Sequence, residues 1–283
     1  MAEAADSRTP AERVDASLKE WRQGDCVLGE QWFVYRLAAG FPISDGAKEA
    51  AAQSADLAET PVMGMVVVSQ TCEIVRNCVS RPFIEVAALV EVEESQMLNI
   101  ERARQPRYAF IPALASKHLV ADLDRTMTLE KPVVALWLRI PGCRDDKEAR
   151  EFARALARKR ERFAFPDDFN VFAKGLSTRF KEKHGKNSSE GRALQALREV
   201  RIRAAPSWDA AEVQLHFWFI RHDAMLELEG KRWDEYLQSW LALIPVSGRF
   251  KEVDGVVVTL DRLTAREYLE SDSLDLDHLS AAN

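Results

Sequence analysis

Two long apolar runs between residues 62 and 92 constrain the fold of this chain more than any other feature. Met63-Gly64-Met65-Val66-Val67-Val68-Ser69 is nearly unbroken. A strand with one wet face alternates, whereas a short continuous run bounded by turn residues fits a strand covered on both faces. Phe83-Ile84-Glu85-Val86-Ala87-Ala88-Leu89-Val90-Glu91-Val92 reads as a second strand that alternates only in part. Between them lies Gln70-Thr71-Cys72-Glu73-Ile74-Val75-Arg76-Asn77-Cys78, polar and irregular. A connector of this kind is held by its scaffold while its side chains stay accessible, which is where function concentrates. Gln70, Thr71, Cys72, Glu73 and Arg76 are the binding residues expected there. Cys72 and Glu73 are also candidates for catalysis. Arg76 and Arg81 would favour a Cys72 thiolate, but the next histidine downstream is His118.

Around this centre the pattern is mainly β up to about residue 143. Thr9-Pro10-Ala11-Glu12 is a capping box with proline at the first helical position, so a helix is expected within residues 1–23. Cys26-Val27-Leu28, Gln31-Trp32-Phe33-Val34-Tyr35 and Tyr108-Ala109-Phe110-Ile111 read as strands, and apolar stretches recur at 118–124 and 133–139. Residues 44–60 are polar and alanine-rich, with Leu57 as the one evident anchor, and are expected to form a mobile insertion with a transient helix. Many short strands with few helices in 24–143 predict a curled sheet or partly open barrel.

The period then changes. Ala149, Phe152, Ala153, Leu156 and Ala157 recur at helical spacing, with acids before them and Arg158, Lys159 and Arg160 after them. Asp167 and Asp168 can open a second helix carrying Phe169, Phe172, Leu176 and Phe180. Two strands follow, then a helix at 234–244, a strand at 256–260 and a helix opened by the capping box Thr264-Ala265-Arg266-Glu267. The expected class is α+β: a mainly β, barrel-like domain at 24–143, then residues 144–283 as a basic helical segment and a β-β-α-β-α unit.

Gly24-Asp25-Cys26-Val27, Met65-Val66-Val67-Val68-Ser69 and Asp124-Arg125-Thr126-Met127-Thr128-Leu129-Glu130-Lys131 together resemble the MazF/PemK toxin family. The resemblance covers about half of the chain and implies an SH3-like barrel with RNA binding or cleavage. The family's Arg-Pro is replaced by Pro61-Val62-Met63-Gly64, and Val90 and Val92 stand where a threonine or serine would close the next strand. No catalytic residue is carried over.

Net charge is −6, but residues 144–203 hold 17 basic and 10 acidic side chains. Arg154, Arg158 and Lys183 in that segment could contact an RNA or DNA backbone, or the segment could pair with the chain's own acids. Arg179 and His184 have the Arg-x4-His spacing of HEPN-type ribonucleases, though that spacing also suits an ordinary basic helix end. Cys26, Cys72, Cys78 and Cys143 form no Cys-x-x-Cys pair, and His216, His222 and His278 lack a ligand spacing, so no metal site is expected. Phosphate-binding and dinucleotide-binding glycine motifs are missing, so no cofactor is expected. Neither a secretory start nor a membrane-length apolar run is seen, which points to the cytoplasm. The function expected first is a non-catalytic interaction component of a bacterial regulatory, toxin–antitoxin or defence system, with a protein partner. The alternatives are a nucleic-acid binder or ribonuclease and a cysteine enzyme using Cys72.

Overall fold

The double-sided burial expected of the apolar runs is realised by helices on both faces of a sheet. The computed structural model describes residues 8–103, 105–161 and 163–274. The chain divides into two compact units, Met1–Glu161 and Arg162–Asn283.

The first unit contains helices α1 (Pro10–Leu18), α2 (Asp45–Ala52), α3 (Thr71–Ile74), α4 (Glu94–Glu101), α5 (Lys131–Ala135) and α6 (Asp146–Arg160). Its strands are β1 (Cys26–Arg36), β2 (Leu57–Val67), β3 (Phe83–Glu91), β4 (Tyr108–Ala109) and β5 (Leu119–Glu130), in the spatial order β1-β2-β3-β5-β4. The assigned pairings are antiparallel. Alternate residues of the central strands enter two separate cores. Val66, Ala87, Leu89 and Ala121 pack with Phe152 and Ala155 of α6. Met65, Val67, Val86 and Ala88 pack with Leu18, Trp21, Ile74 and Val134, beneath α1, α3 and α5.

This corrects the barrel expectation. The sheet is open, with β1 and β4 as its edges, so the SH3-like barrel is not formed. Val34 N–H donates to the Met127 sulfur at 3.4 Å, so β5 leans toward β1 without backbone pairing. The physical reason lies in the apolar run itself: a strand buried on two faces needs two covers, and two helical layers supply them.

Residues 44–60, expected as a mobile insertion, instead carry α2 and the start of β2. Ser44 caps α2 by accepting from Ala47 N–H, and the Tyr35 hydroxyl bonds Ser44 Oγ at 2.5 Å. The anchors are Ala47 and Ala58, each 3% exposed, while Leu57 points to solvent. Small side chains anchor where backbones approach closely, a feature that hydrophobicity alone does not reveal. The apolar stretch at 133–139 likewise begins in helix α5 instead of a strand.

The second unit contains α7 (Asp167–Phe172), α8 (Lys174–Lys183), α9 (Ser189–Ala196), α10 (Trp233–Leu241) and α11 (Ala265–Leu269). Its strands are β6 (Leu197–Ala205), β7 (Val213–Arg221), β8 (Glu227–Leu228), β9 (Lys231–Arg232), β10 (Phe250–Thr259) and β11 (Asp272–Leu274). Four of them form a sheet ordered β10-β7-β6-β11, in which β10 and β7 are parallel. Val213, Leu215, Phe217 and Phe219 line its inner face against Leu176, Phe180, Trp233, Tyr236 and Trp240. The basic helix α6, expected at the head of the second part, groups with the first unit.

Candidate functional site: the 70–78 connector

The connector that joins β2 to β3 is a short helical turn tied down from several directions. Ile74 of α3 is fully buried in the core under α1 and α5. Thr71 Oγ1 accepts from Gln23 N–H at 3.1 Å, and Gln23 Nε2 donates to Val68 O at 2.7 Å. Ser69 Oγ accepts from Glu85 N–H at 2.8 Å. Asp15 of α1 accepts from Cys78 N–H at 2.8 Å and from Asn77 Nδ2 at 2.9 Å. Asn77 Oδ1 in turn accepts from Val79 N–H at 3.0 Å and Ser80 N–H at 3.2 Å, a side-chain-closed turn.

The strongest tie is Lys131, the first residue of α5 and 0% exposed. Its Nζ donates to Glu73 O at 2.9 Å and Arg76 O at 2.5 Å, the carbonyls that α3 leaves open at its end. Burial pushes the Lys131 amine below its ordinary value, and the charges of Asp15, Cys78 and Glu73 oppose that shift. Desolvation, followed by the hydrogen bond with Asp15, pushes the Cys78 thiol up. Cys78 is buried and its thiol donates to the Ala11 carbonyl at 3.6 Å, a structural contact.

The outward side of the connector is different. Cys72 is exposed, its Sγ lying 3.6 Å from Gln70 Oε1, and among the described residues it has no imidazole partner. Glu73 and Arg76 form a surface pair at 3.6 Å. Val75, Val79 and Phe83 are exposed, Val79 to 76% and Phe83 to 59%. Val133 and Leu136, on and just after α5, are exposed beside them. Lys131 N–H donates to Pro82 O at 2.8 Å and Phe83 pairs with Glu130, which sets the start of α5 against this end of β3.

The structure brings Gln70, Thr71, Cys72, Glu73 and Arg76 together on one turn. It does not bring Arg154 and Arg158 to them. Arg154 and Arg158 lie on α6, which covers the opposite face of the sheet, and Lys183 ends α8 in the second unit. Most cations of the basic segment already have partners. Lys159 pairs with Asp124, Arg160 with Glu85 at 2.5 Å, Arg179 with Glu190 at 2.8 Å, Arg192 with Glu229 at 2.6 Å and Arg203 with Glu270 at 3.6 Å. Arg158 donates to the Ala103 carbonyl. Arg154 is exposed and has no ion-pair partner among the described residues. The Arg179–Glu190 pair also takes up the arginine of the Arg-x4-His spacing.

Sequence reasoning missed the groups that position the connector. Asp15 and Lys131 lie 63 and 55 residues from their contacts at Cys78 and Arg76, and no local pattern marks them. It also missed Asp122, a fully buried carboxylate that takes two hydrogen bonds from Arg107 at 3.1 and 2.8 Å and joins β4 to β5. That pairing raises the Arg107 guanidinium above its ordinary value. Among the described residues no three His, Cys, Asp or Glu side chains are grouped to hold a metal, and His278 lies outside them. No helix among them is long and apolar enough to cross a membrane. No protein-family model matches the chain, and no curated protein or solved structure is significantly similar to it.

Proposed function

We propose that this chain is a non-catalytic interaction component that docks a protein partner on the 70–78 connector and the adjoining start of α5. One observation supports this most: the connector is pinned through its backbone by Asp15 and Lys131 and through the Thr71 side chain by Gln23, while Val75, Val79, Phe83, Val133 and Leu136 are left in water. Grouped exposed apolar side chains mark interaction surfaces. A loop already held in shape loses little conformational entropy on binding. Arg76 and Arg81 flank the patch, so the matching surface is apolar with carboxylates at its rim. A setting in a bacterial regulatory, toxin–antitoxin or defence system is proposed from the same features: no complete catalytic set, segregated charge and a polar connector.

The other two readings draw less support. A phosphate-binding face needs cations free to replace counterions, and the basic segment spends most of its cations on internal pairs. A cysteine nucleophile needs a base or a thiolate-stabilising group in contact, and Cys72 faces solvent beside an amide.

The test is complex formation in cells that naturally express the protein. We expect a stoichiometric complex by size-exclusion chromatography that loses at least tenfold in affinity with Val79→Asp or Phe83→Asp and is unchanged by Cys72→Ser. A complex that survives both aspartate variants would refute docking at this patch.

A further inference from the structure

A second feature lies in the Arg162–Asn283 unit, far in character from the apolar connector. Strands β7 and β10 are parallel, and beyond their carboxyl ends is a crevice of about 580 Å³. Crevices at the carboxyl ends of parallel strands are where open α/β sheets bind ligands, and this one is a depression open to solvent. Arg198, Arg221, His222, Thr259 and Asp261 line it.

Arg221 is the last residue of β7 and pairs with Thr259 of β10 and Leu197 of β6. It continues the inner row Val213, Leu215, Phe217 and Phe219 by strand alternation, so its stem follows the core and its head reaches the crevice. The guanidinium lies 5.5 Å from the Trp233 ring centroid. Its Nε and Nη1 are buried without a hydrogen-bond partner. Orphaned cationic donors are costly to bury, and a ring face offsets only part of that cost. Arg198 opens onto the same crevice, and its nearest carboxylate, Glu199, is 3.8 Å away. The one acid of the lining, Asp261, is exposed at the rim. Thr259 holds its carboxylate below the ordinary range, with Arg262 Nε 3.9 Å away. Two guanidinium groups thus face one carboxylate.

We propose that this crevice binds a small phosphorylated polyol, with the phosphoryl group on Arg221 and Arg198 and ligand hydroxyls donating to Asp261. A phosphoryl group offers three acceptor oxygens and close to two negative charges. Arg221, through the Nη2 that is not buried, and Arg198 can each meet a different phosphoryl oxygen. Asp261 as an acceptor favours a ligand that carries hydroxyl donors beside its anion.

Calorimetric titration of the full chain at low salt, with ribose 5-phosphate, ribose and inorganic phosphate as probes, tests this. Ribose 5-phosphate is expected to bind, ribose not to bind, and inorganic phosphate to bind at least tenfold more weakly than the ester. Arg221→Met and the surface variant Arg198→Ala should each cost tenfold or more in ribose 5-phosphate affinity. Asp261→Asn should tighten inorganic phosphate, by removing a like charge, and so narrow or abolish the preference for the ester. Thermal melting of Arg221→Met should give a midpoint equal to or above that of the parent, because the orphaned donors are gone. Absence of binding by both phosphates at millimolar concentration, or binding that persists in both arginine variants, would overturn the assignment. Equal affinity for ester and inorganic phosphate would overturn its polyol part.

Discussion

Lys131 shows how one residue can set the shape of a candidate site without touching a partner. Its four-carbon stem crosses the core and its amine caps the end of α3. Lys131→Met keeps most of the stem and leaves the Glu73 and Arg76 carbonyls without their donor. The expected loss is about 2–6 kcal/mol by urea unfolding, from an unsatisfied-group cost of roughly 1–3 kcal/mol for each of the two carbonyls. The pH dependence has a definite sign. The folded amine titrates below the free one, so in the alkaline window between the two values the unfolded chain holds more protons and stability rises with pH. Relative to Lys131→Met, the parent should gain stability as pH climbs through that window. The connector itself is legible in the sequence as a polar stretch between two apolar runs. Its positioning groups are not, because Asp15 and Lys131 are ordinary charged residues until the fold carries them to it.

At the scale of elements, the apolar run 63–69 implied a strand buried on both faces, and β2 is completely buried at Met65, Val66 and Val67. A double-sided strand is compatible with several architectures, and the choice between barrel and covered open sheet depends on distant helices, which the strand sequence does not specify. Gly64 has φ +150, and a Cβ there would come within 2.1 Å of Val27 O, beside the irregularity that separates Leu28 from Gln31 in the β1–β2 ladder. Gly64→Ala should therefore cost about 2 kcal/mol or more through backbone strain and displacement of β1, measured by denaturant unfolding. The basic end of α6 makes a different kind of contribution. Lys159 and Arg160 meet Asp124 and Glu85 on partly exposed surfaces, so Lys159→Ala and Arg160→Ala should each shift stability by no more than about 1 kcal/mol. Neither a salt-dependent RNA shift nor its loss is expected from these variants, since both cations already pair within the chain. The anchoring of helix α2 was hidden for a simpler reason: Ala47 and Ala58 hold it, and alanine in a polar stretch gives no apolar signal.

For the molecule as a whole, the acidic limb of stability follows from its carboxylates. Arg249 holds Asp168 below the ordinary range, Arg144 does so for Glu148, and Thr264 for Glu267. Carboxylates depressed in the folded state stabilise it above their unfolded values and lose that contribution as pH falls through the folded ones. Unfolding midpoints should thus stay level down to about pH 4–5 and then fall, with a shallow slope because these groups are exposed. Composition and period in the sequence were enough for an α+β class and for the alternation of β7, where Val213, Leu215, Phe217 and Phe219 share the buried face, but not for the short strands β8, β9 and β11. They were not enough for the groups that position the connector or for the Arg221 crevice, which come from segments that meet only in the folded chain. The central claim is that the pinned connector docks a partner. Photocrosslinking from a benzoylphenylalanine placed at Val79, against the same probe at the exposed Leu226 of the second unit, tests it most directly. One defined protein adduct from position 79, missing from position 226 and abolished by Phe83→Asp, is the predicted result; equal or absent adducts at both positions would contradict it.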